Sequence, residues 1–428
     1  MALRQTRLPV AIATMAFVAW VLLSAHPIGQ NSTTPNRLAL TGGTAYIDPM
    51  SEAIRDAVVL IQDGTIVSVG RRSSTRIPTD VQTIDCAGLT ITAGFWNSHV
   101  HFLQRKWTDA GNLPASELTR QLQTMLTRYG FTSVFDTWSA WENTQHIRDR
   151  IERGEVLGPR IRSTGEAIFG QGVTATAASW ASLGFMDLDK FQTARVSNAT
   201  EALEASKKLL DRGVDALKFY AATPGRNSAV VPDAAIEAGV REAHSRGKLV
   251  FSHPSSIAGL RASVRAGVDV VAHTTPQSGP WDETTLAAMK QAGIALIPTL
   301  RLWNYEFRHE RASLADGFEN TAIGQLKAWV AIGGVVLFGT DVGYMSDYDT
   351  TEEYALMSEA GMSFSQILAS LTTAPAQKFG ASKRLGRIVS GFDADLTVLR
   401  NDPSKDIRAL GAVAYTIRDG KVIYRDQR

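Results

Sequence analysis

The chain has 428 residues, with 44 Lys and Arg against 42 Asp and Glu, for a formal net charge of +2. That balance, with no long basic run, gives no electrostatic basis for a nucleic-acid partner, and the length suits one large domain beside a smaller one. The single cysteine, Cys86, excludes an internal disulfide and any cysteine-rich zinc module.

At the N-terminus, Arg4 and Arg7 precede an apolar run from Leu8 to Ala25, followed by His26, Pro27 and a polar stretch. A positive segment, an apolar segment and a small residue at the junction make up a secretory signal. The run also has the length, about 18 residues, of a membrane anchor. Residues 1–25 are therefore expected to be a signal peptide or an anchor and 26–36 a linker. The protein would be exported, periplasmic or secreted, or held at a membrane by this segment, with a soluble body.

Residues 37–90 read as short β-branched strands broken by Gly-Gly and Asp-Gly, and 385–428 repeat that texture around a second Asp-Gly. The two flanks predict one small β-sandwich built from both termini. Between them, 91–384 alternates strand and helix, with strands predicted at 91–98, 132–138, 160–166, 215–220, 249–253, 269–273, 294–299 and 335–340. Intervening segments such as ATEALEASKKLLDRG end in Gly after a basic residue, as helix C-termini do. Repeated strand–helix units predict an α/β fold with a parallel sheet closed as a (β/α)8 TIM barrel. Long loops follow the third, fourth and seventh strands, at Phe169–Asn198, at Ala221–Val231 and around Arg301–His309. Such loops usually carry function.

Six polar residues stand at the downstream ends of these strands: His99 and His101 in GFWNSHVHF, Lys218 in DALKFYA, His253 in LVFSHPS, His273 in VVAHTTP and Asp341 in VLFGTDVG. Strand ends of a barrel converge on one mouth, so ligands far apart in sequence can meet. His99 and His101 lie two apart, which on an extended segment points both imidazoles to one face. One His-x-His pair is a weak signal and any one of these residues could be an ordinary hydrogen-bonded rim group. Five of them, the four histidines and Asp341, at the ends of four strands point to a divalent transition metal. Lys218 admits two readings: a buried ion pair, or a neutral amine that has captured carbon dioxide as a metal-bridging carbamate.

These motifs resemble the amidohydrolase superfamily of metal-dependent hydrolases. The opening QDGTIVSVG and IDCAGLTITAGFWNSHVHF and the closing TTAPAQKFG, LGRIVSGFDADLTVL and TIRDGKVIY are similar to that superfamily's ends, with its imidazolonepropionase and prolidase-like members the nearest in pattern. The resemblance implies two divalent metal ions, zinc for preference, with His99, His101 and Asp341 on one and His253 and His273 on the other. Carboxylated Lys218 would bridge them. It implies a metal-bridging hydroxide that attacks a carbonyl, with Asp341 as general base and then acid. Lys218 argues against imidazolonepropionase activity itself, which uses one metal and lacks the bridging lysine. The family usually has Pro where Ala93 stands and Asp where Asn97 stands. Neither position ligates metal, although Asn97 removes a supporting carboxylate.

Arg301 and Arg308 could clamp a substrate carboxylate. Tyr220 and His146 could orient a carbonyl or leaving group, and Trp180, Trp303 and Phe185 could wall an apolar pocket. The expected reaction is cleavage of a C–N amide bond, in a small molecule such as a dipeptide or N-acyl amino acid. The same site could instead serve lactones, cyclic amides or phosphotriesters. A non-catalytic binding protein is a third reading, disfavoured because a scaffold that had lost its metals should also have lost ligands.

Overall fold

The computed structural model describes residues 36–171, 184–187, 194–221, 231–307 and 312–427. The apolar run Leu8–Ala25 lies outside them. Among the described residues, no helix is long and apolar enough to cross a membrane.

Both ends of the described chain meet in one sheet. Strands β1 (Arg37–Tyr46), β2 (Ile54–Gln62) and β3 (Thr65–Arg71) form an antiparallel meander, and β4 (Gln82–Asp85) and β5 (Thr90–Ala93) run parallel to successive parts of β1. The β2–β3 turn is Asp63-Gly64, with φ of 49° and 80°. Positive φ at both central residues matches the twist of the flanking strands, and Gly adopts it freely. Nine residues before the C-terminus the device recurs at Asp419-Gly420.

The middle of the chain supplies strands buried along most of their length, as a sheet covered on both faces requires. In order these are β6 (Phe95–Val100), β7 (Phe131–Asp136), β8 (Arg160–Ser163), the short pair β9 (Phe169–Gly170) and β10 (Arg195–Val196), β11 (Ala216–Tyr220), β12 (Leu249–His253), β13 (Val270–Ala272), β14 (Ala295–Ile297) and β15 (Val335–Val336). Strands β6 to β8 form one parallel sheet and β11 to β15 another. Helices including Ala199–Asp211, Ile257–Arg265 and Glu283–Gln291 connect them, each opened by a side-chain cap: Asn198, Ser256 or Asp282.

No continuous ladder closes around these strands. Hydrogen bonds join the two sheets at both seams instead. Asp215 N–H donates to Ser163 O at 2.8 Å and Tyr220 N–H to Ile168 O at 2.9 Å; on the other side Ser98 N–H reaches Phe338 O at 2.7 Å and His101 N–H reaches Val342 O at 2.8 Å. Because all these strands are parallel, their C-terminal ends lie on one side.

The remaining strands, β16 (Leu396–Leu399), β17 (Val413–Arg418) and β18 (Lys421–Arg425), return to the terminal sheet, where β16 pairs antiparallel with β5. Its order is β18-β17-β16-β5-β1-β2-β3, with β4 beside β1. Pairing therefore runs through a single eight-stranded sheet rather than the two separate sheets expected of a sandwich. The physical reason is β1, whose length lets it pair with β2 on one edge and with both β4 and β5 on the other. Leu40, Val59, Ile61, Ile91, Leu396, Val398 and Ile417 form part of that sheet's own apolar cluster.

Candidate metal centre

The end of β6 is tied to the segment after β15 before any metal is considered. Asn97 is fully buried; its amide donates to Thr340 Oγ1 at 2.7 Å and accepts from the His99 backbone N–H at 3.2 Å. A carboxylate there could accept from both groups but donate to neither, whereas the Asn97 amide does both. Gly343 allows the closest approach. A Cβ on it would lie 1.8 Å from the His101 carbonyl oxygen. Asp341 (φ 61°), His273 (φ 73°) and Thr299 (φ 45°) all occupy the left-handed region. Such backbone costs on the order of 1–3 kcal/mol per residue and persists where surrounding contacts fix it, commonly at functional sites. Thr299 stands out because it is β-branched.

His99, His101 and Asp341 converge. The Nε2 atoms of the two imidazoles are 3.1 Å apart, and Asp341 Oδ1 lies 3.2 Å from the first and 2.7 Å from the second. His101 Nδ1 is 2.9 Å from the Trp138 carbonyl oxygen. A carbonyl can only accept, so Nδ1 carries a proton and Nε2 is the ring atom turned toward Asp341. A divalent cation among these nitrogen and oxygen atoms would be held by all three. Ligands about 2.0–2.2 Å from a tetrahedral ion sit roughly 3.2–3.6 Å apart, close to the spacing of these three atoms. All three side chains are buried and their ligand atoms fall within 4.8 Å of one another. Burial, helped by the neighbouring Lys218, pulls the His99 imidazole down to about 3, so it is neutral and able to ligate. Burial would raise the Asp341 carboxyl, but His99 and His101 outweigh it and hold the group well below the ordinary range. The donor set fits a divalent transition metal.

Lys218, His253 and His273 lie beside this group. Lys218 is 1% exposed and its Nζ has no hydrogen-bond partner. Burial lowers it to about 7 despite the opposing charge of Asp341, so the ion-pair reading finds no close acid. His273 Nε2 stands 4.0 Å from Asp341 Oδ2, and its ring lies 4.7 Å from that of His99 and 4.5 Å from that of His253. Its other nitrogen, Nδ1, meets Thr299 Oγ1 at 2.6 Å. The Thr299 hydroxyl donates to Pro298 O at 2.8 Å, so it accepts from Nδ1–H and His273 turns its Nε2 lone pair inward. Burial holds the imidazoles of both His253 and His273 well below the ordinary value.

Beside these three residues lies an aromatic cluster. Tyr220 stacks on His253 at 4.5 Å and, on its other face, on Phe169 at 4.2 Å. Trp138 packs edge-on against Phe169 and Tyr220, and Phe185 lies 5.8 Å from the Tyr344 ring. The Tyr344 hydroxyl donates to Glu306. Burial, then the charges of Asp341 and Glu306, push the Tyr220 phenol far up, so it stays a neutral donor. Of this cluster, Trp138, Phe169 and Tyr344 were not singled out by sequence as site residues, although Trp138 lies just past β7, Phe169 begins β9 and Tyr344 follows Asp341 in the segment after β15.

The other predicted contacts are placed elsewhere. The Arg301 guanidinium is committed to Asp347, to Glu352 at 3.0 Å and to the Asp349 carbonyl, leaving it poorly suited to clamp a substrate. Trp303 is buried in the main apolar cluster and donates to Thr274 Oγ1 at 2.8 Å, which makes it packing beneath the loop rather than a pocket wall. His146 is exposed on the helix Trp141–Glu152, where its ring sits against Gly111 instead of the histidines. Trp180 and Arg308 lie outside the described residues.

Comparisons with known proteins bear on the family and the fold. Ochratoxinase from Aspergillus niger is 21% identical over 94% of this chain and 89% of its own length. A dihydroorotase from Anaeromyxobacter dehalogenans is 22% identical over 90% of this chain and 98% of its own. Among solved structures, a candidate prolidase from Bifidobacterium longum superposes with a TM-score of 0.77 at 25% identity, covering 91% of this chain and 95% of that one. The sequence profile described as "Amidohydrolase family" matches residues 90–423, a span that contains every residue of the histidine–aspartate–lysine cluster. The chain belongs to the amidohydrolase family of metal-dependent hydrolases.

Proposed function

We propose that the protein is a binuclear metal hydrolase that cleaves the amide bond of an N-acyl amino acid or dipeptide bearing an apolar or aromatic group. The observation that carries this reading is the convergence of His99, His101 and Asp341 beside a buried, unpartnered Lys218 amine. The parallel strands with hydrogen bonds at both seams fit the expected (β/α)8 barrel, with the ligands on its C-terminal rim.

His99, His101 and Asp341 would hold one ion and His253 and His273 the other, with Lys218 as a carbamate between them. Zinc suits these nitrogen and oxygen donors, as manganese and cobalt also would. Bound divalent ions would acidify water and polarise a carbonyl. The residues do the rest. Trp138 O and Thr299 Oγ1 fix the tautomers of His101 and His273 and keep both Nε2 atoms aimed inward. Asp341 is ionised, so it can take a proton from water and deliver it to the leaving nitrogen. Tyr220, neutral and stacked in place, can donate a hydrogen bond to substrate. The aromatic cluster of Trp138, Phe169, Tyr220 and Phe185 favours an apolar substituent. Names of structural neighbours, among them a Xaa-Pro dipeptidase and ochratoxinase, support an amide substrate. The N-terminal apolar run supports export, which N-terminal sequencing of the mature protein from its native host would check.

A panel of dipeptides and N-acyl amino acids, set against lactones, cyclic amides and phosphotriesters, tests the reaction with zinc-loaded enzyme. Amide cleavage with kcat/KM highest for aromatic side chains is expected. Preferential turnover of lactones or phosphotriesters would replace the amide reading.

A further inference from the structure

The loop after β14 is fastened at more points than a connection needs. Glu353, on the helix Thr351–Glu359, is 2% exposed. Its two carboxylate oxygens accept the Leu300 and Arg301 backbone N–H groups, each at 2.9 Å. Burial raises this carboxyl to about 7 even though both amide bonds favour the ionised form. An ionisable group kept under such opposition is an expensive way to cap a helix of seven residues. The residue immediately before the two clamped amides is Thr299, whose φ of 45° is unfavourable for a β-branched side chain. That conformation puts its Oγ1 2.6 Å from His273 Nδ1.

We propose that Glu353 is a positioning residue for His273: by gripping the amides of Leu300 and Arg301 it keeps Thr299 in its left-handed conformation, and the Thr299 hydroxyl in turn fixes the imidazole as a ligand of the second metal. The connection runs Glu353 carboxylate, Leu300 and Arg301 amides, Thr299 hydroxyl, His273 ring. His101 needs no such device, because a main-chain carbonyl, that of Trp138, orients it. A carboxylate is required at 353. A carboxamide offers one acceptor atom and would turn its NH2 toward the second amide, leaving donor against donor.

The inference rests on the reading of His273 as a metal ligand, and the test separates the two. Chelator-stripped full-length protein is titrated with Zn2+ alone, site affinities are measured against a competing chelator, and thermal unfolding is recorded for each variant. Glu353→Gln and Thr299→Val are expected to weaken the weaker zinc site about 10- to 100-fold and leave the tighter site within about threefold of wild type. Thr299→Ser, which keeps the hydroxyl, should retain wild-type affinity at both. Glu353→Gln binding both ions like wild type while unfolding at lower temperature would reduce Glu353 to a helix cap and overturn the proposal. If that variant does not fold, the Thr299→Val and Thr299→Ser pair decides, and equal affinities for the two would overturn it. His273→Ala that still binds two ions as wild type does would instead remove His273 as a ligand and overturn the underlying reading.

Discussion

The two halves of the metal centre differ in how far the polypeptide alone assembles them. On the His99–His101–Asp341 side, three donor atoms stand 2.7 to 3.2 Å apart. On the Lys218–His253–His273 side, the nearest histidine-to-aspartate approach is 4.0 Å and the lysine amine touches no partner. The first half comes from one seam, where β6 meets the segment after β15 and where Asn97, Thr340 and Gly343 make close contacts. The second draws its residues from β11, β12 and the residue just after β13, with the His253 and His273 rings 4.5 Å apart. A carbamate adds three atoms to Lys218 and two oxygens able to reach metal, which is what this half lacks. On the proposed reading, one half is built by folding and the other would be completed by carboxylation of Lys218.

That contrast can be broken from either side. The largest effect is expected for Asp341→Asn, which keeps the shape of the built half but removes its charge and its proton acceptor. Activity should fall by about 10³- to 10⁴-fold, measured as kcat/KM on the best amide substrate. Activity within tenfold of wild type would remove Asp341 from the proton path. Gly343→Ala attacks the framework of the same half, because its Cβ would collide with the His101 carbonyl and φ there is +100°. A loss of about 3 kcal/mol or more in unfolding free energy is expected from denaturant titration. The smallest effect belongs to Arg301→Ala. Its guanidinium pairs with Asp347 and Glu352, both half-exposed, so about 1 kcal/mol of stability should go while KM for carboxylate-bearing substrates stays within about twofold. A tenfold rise in KM would return Arg301 to the substrate.

The convergence of His99, His101 and Asp341 was legible in the sequence because strand ends impose a geometry on whatever residues occupy them. Eight strand positions predicted from alternating patterns correspond to β6, β7, β8 and β11 to β15; His99, His101, His253 and His273 fall at their ends, Lys218 lies two residues inside β11 and Asp341 five residues past β15. The Asp-Gly hairpins were readable for a similar reason, since their chemistry is local. Substrate contacts were not. Arg301 and His146 were chosen for chemical type and position on a loop or helix, but nothing local in sequence tells that Asp347 and Glu352 will occupy one, or that the other faces outward beside Gly111. Trp138 and Phe169 were hidden by the opposite difficulty: an aromatic residue near a strand end reads first as core. The single terminal sheet was missed because β-branched runs with turns report strands, while partner choice depends on the length of β1.

The central claim is that carboxylated Lys218 completes a two-metal site. Its most direct measurement is metal content by mass spectrometry of protein reconstituted with zinc, with and without bicarbonate, for wild type and Lys218→Ala. About two ions per chain for wild type with bicarbonate, and about one for wild type stripped of bicarbonate or for Lys218→Ala, is the expected result. One ion in all samples, or two that survive loss of the lysine, would contradict it.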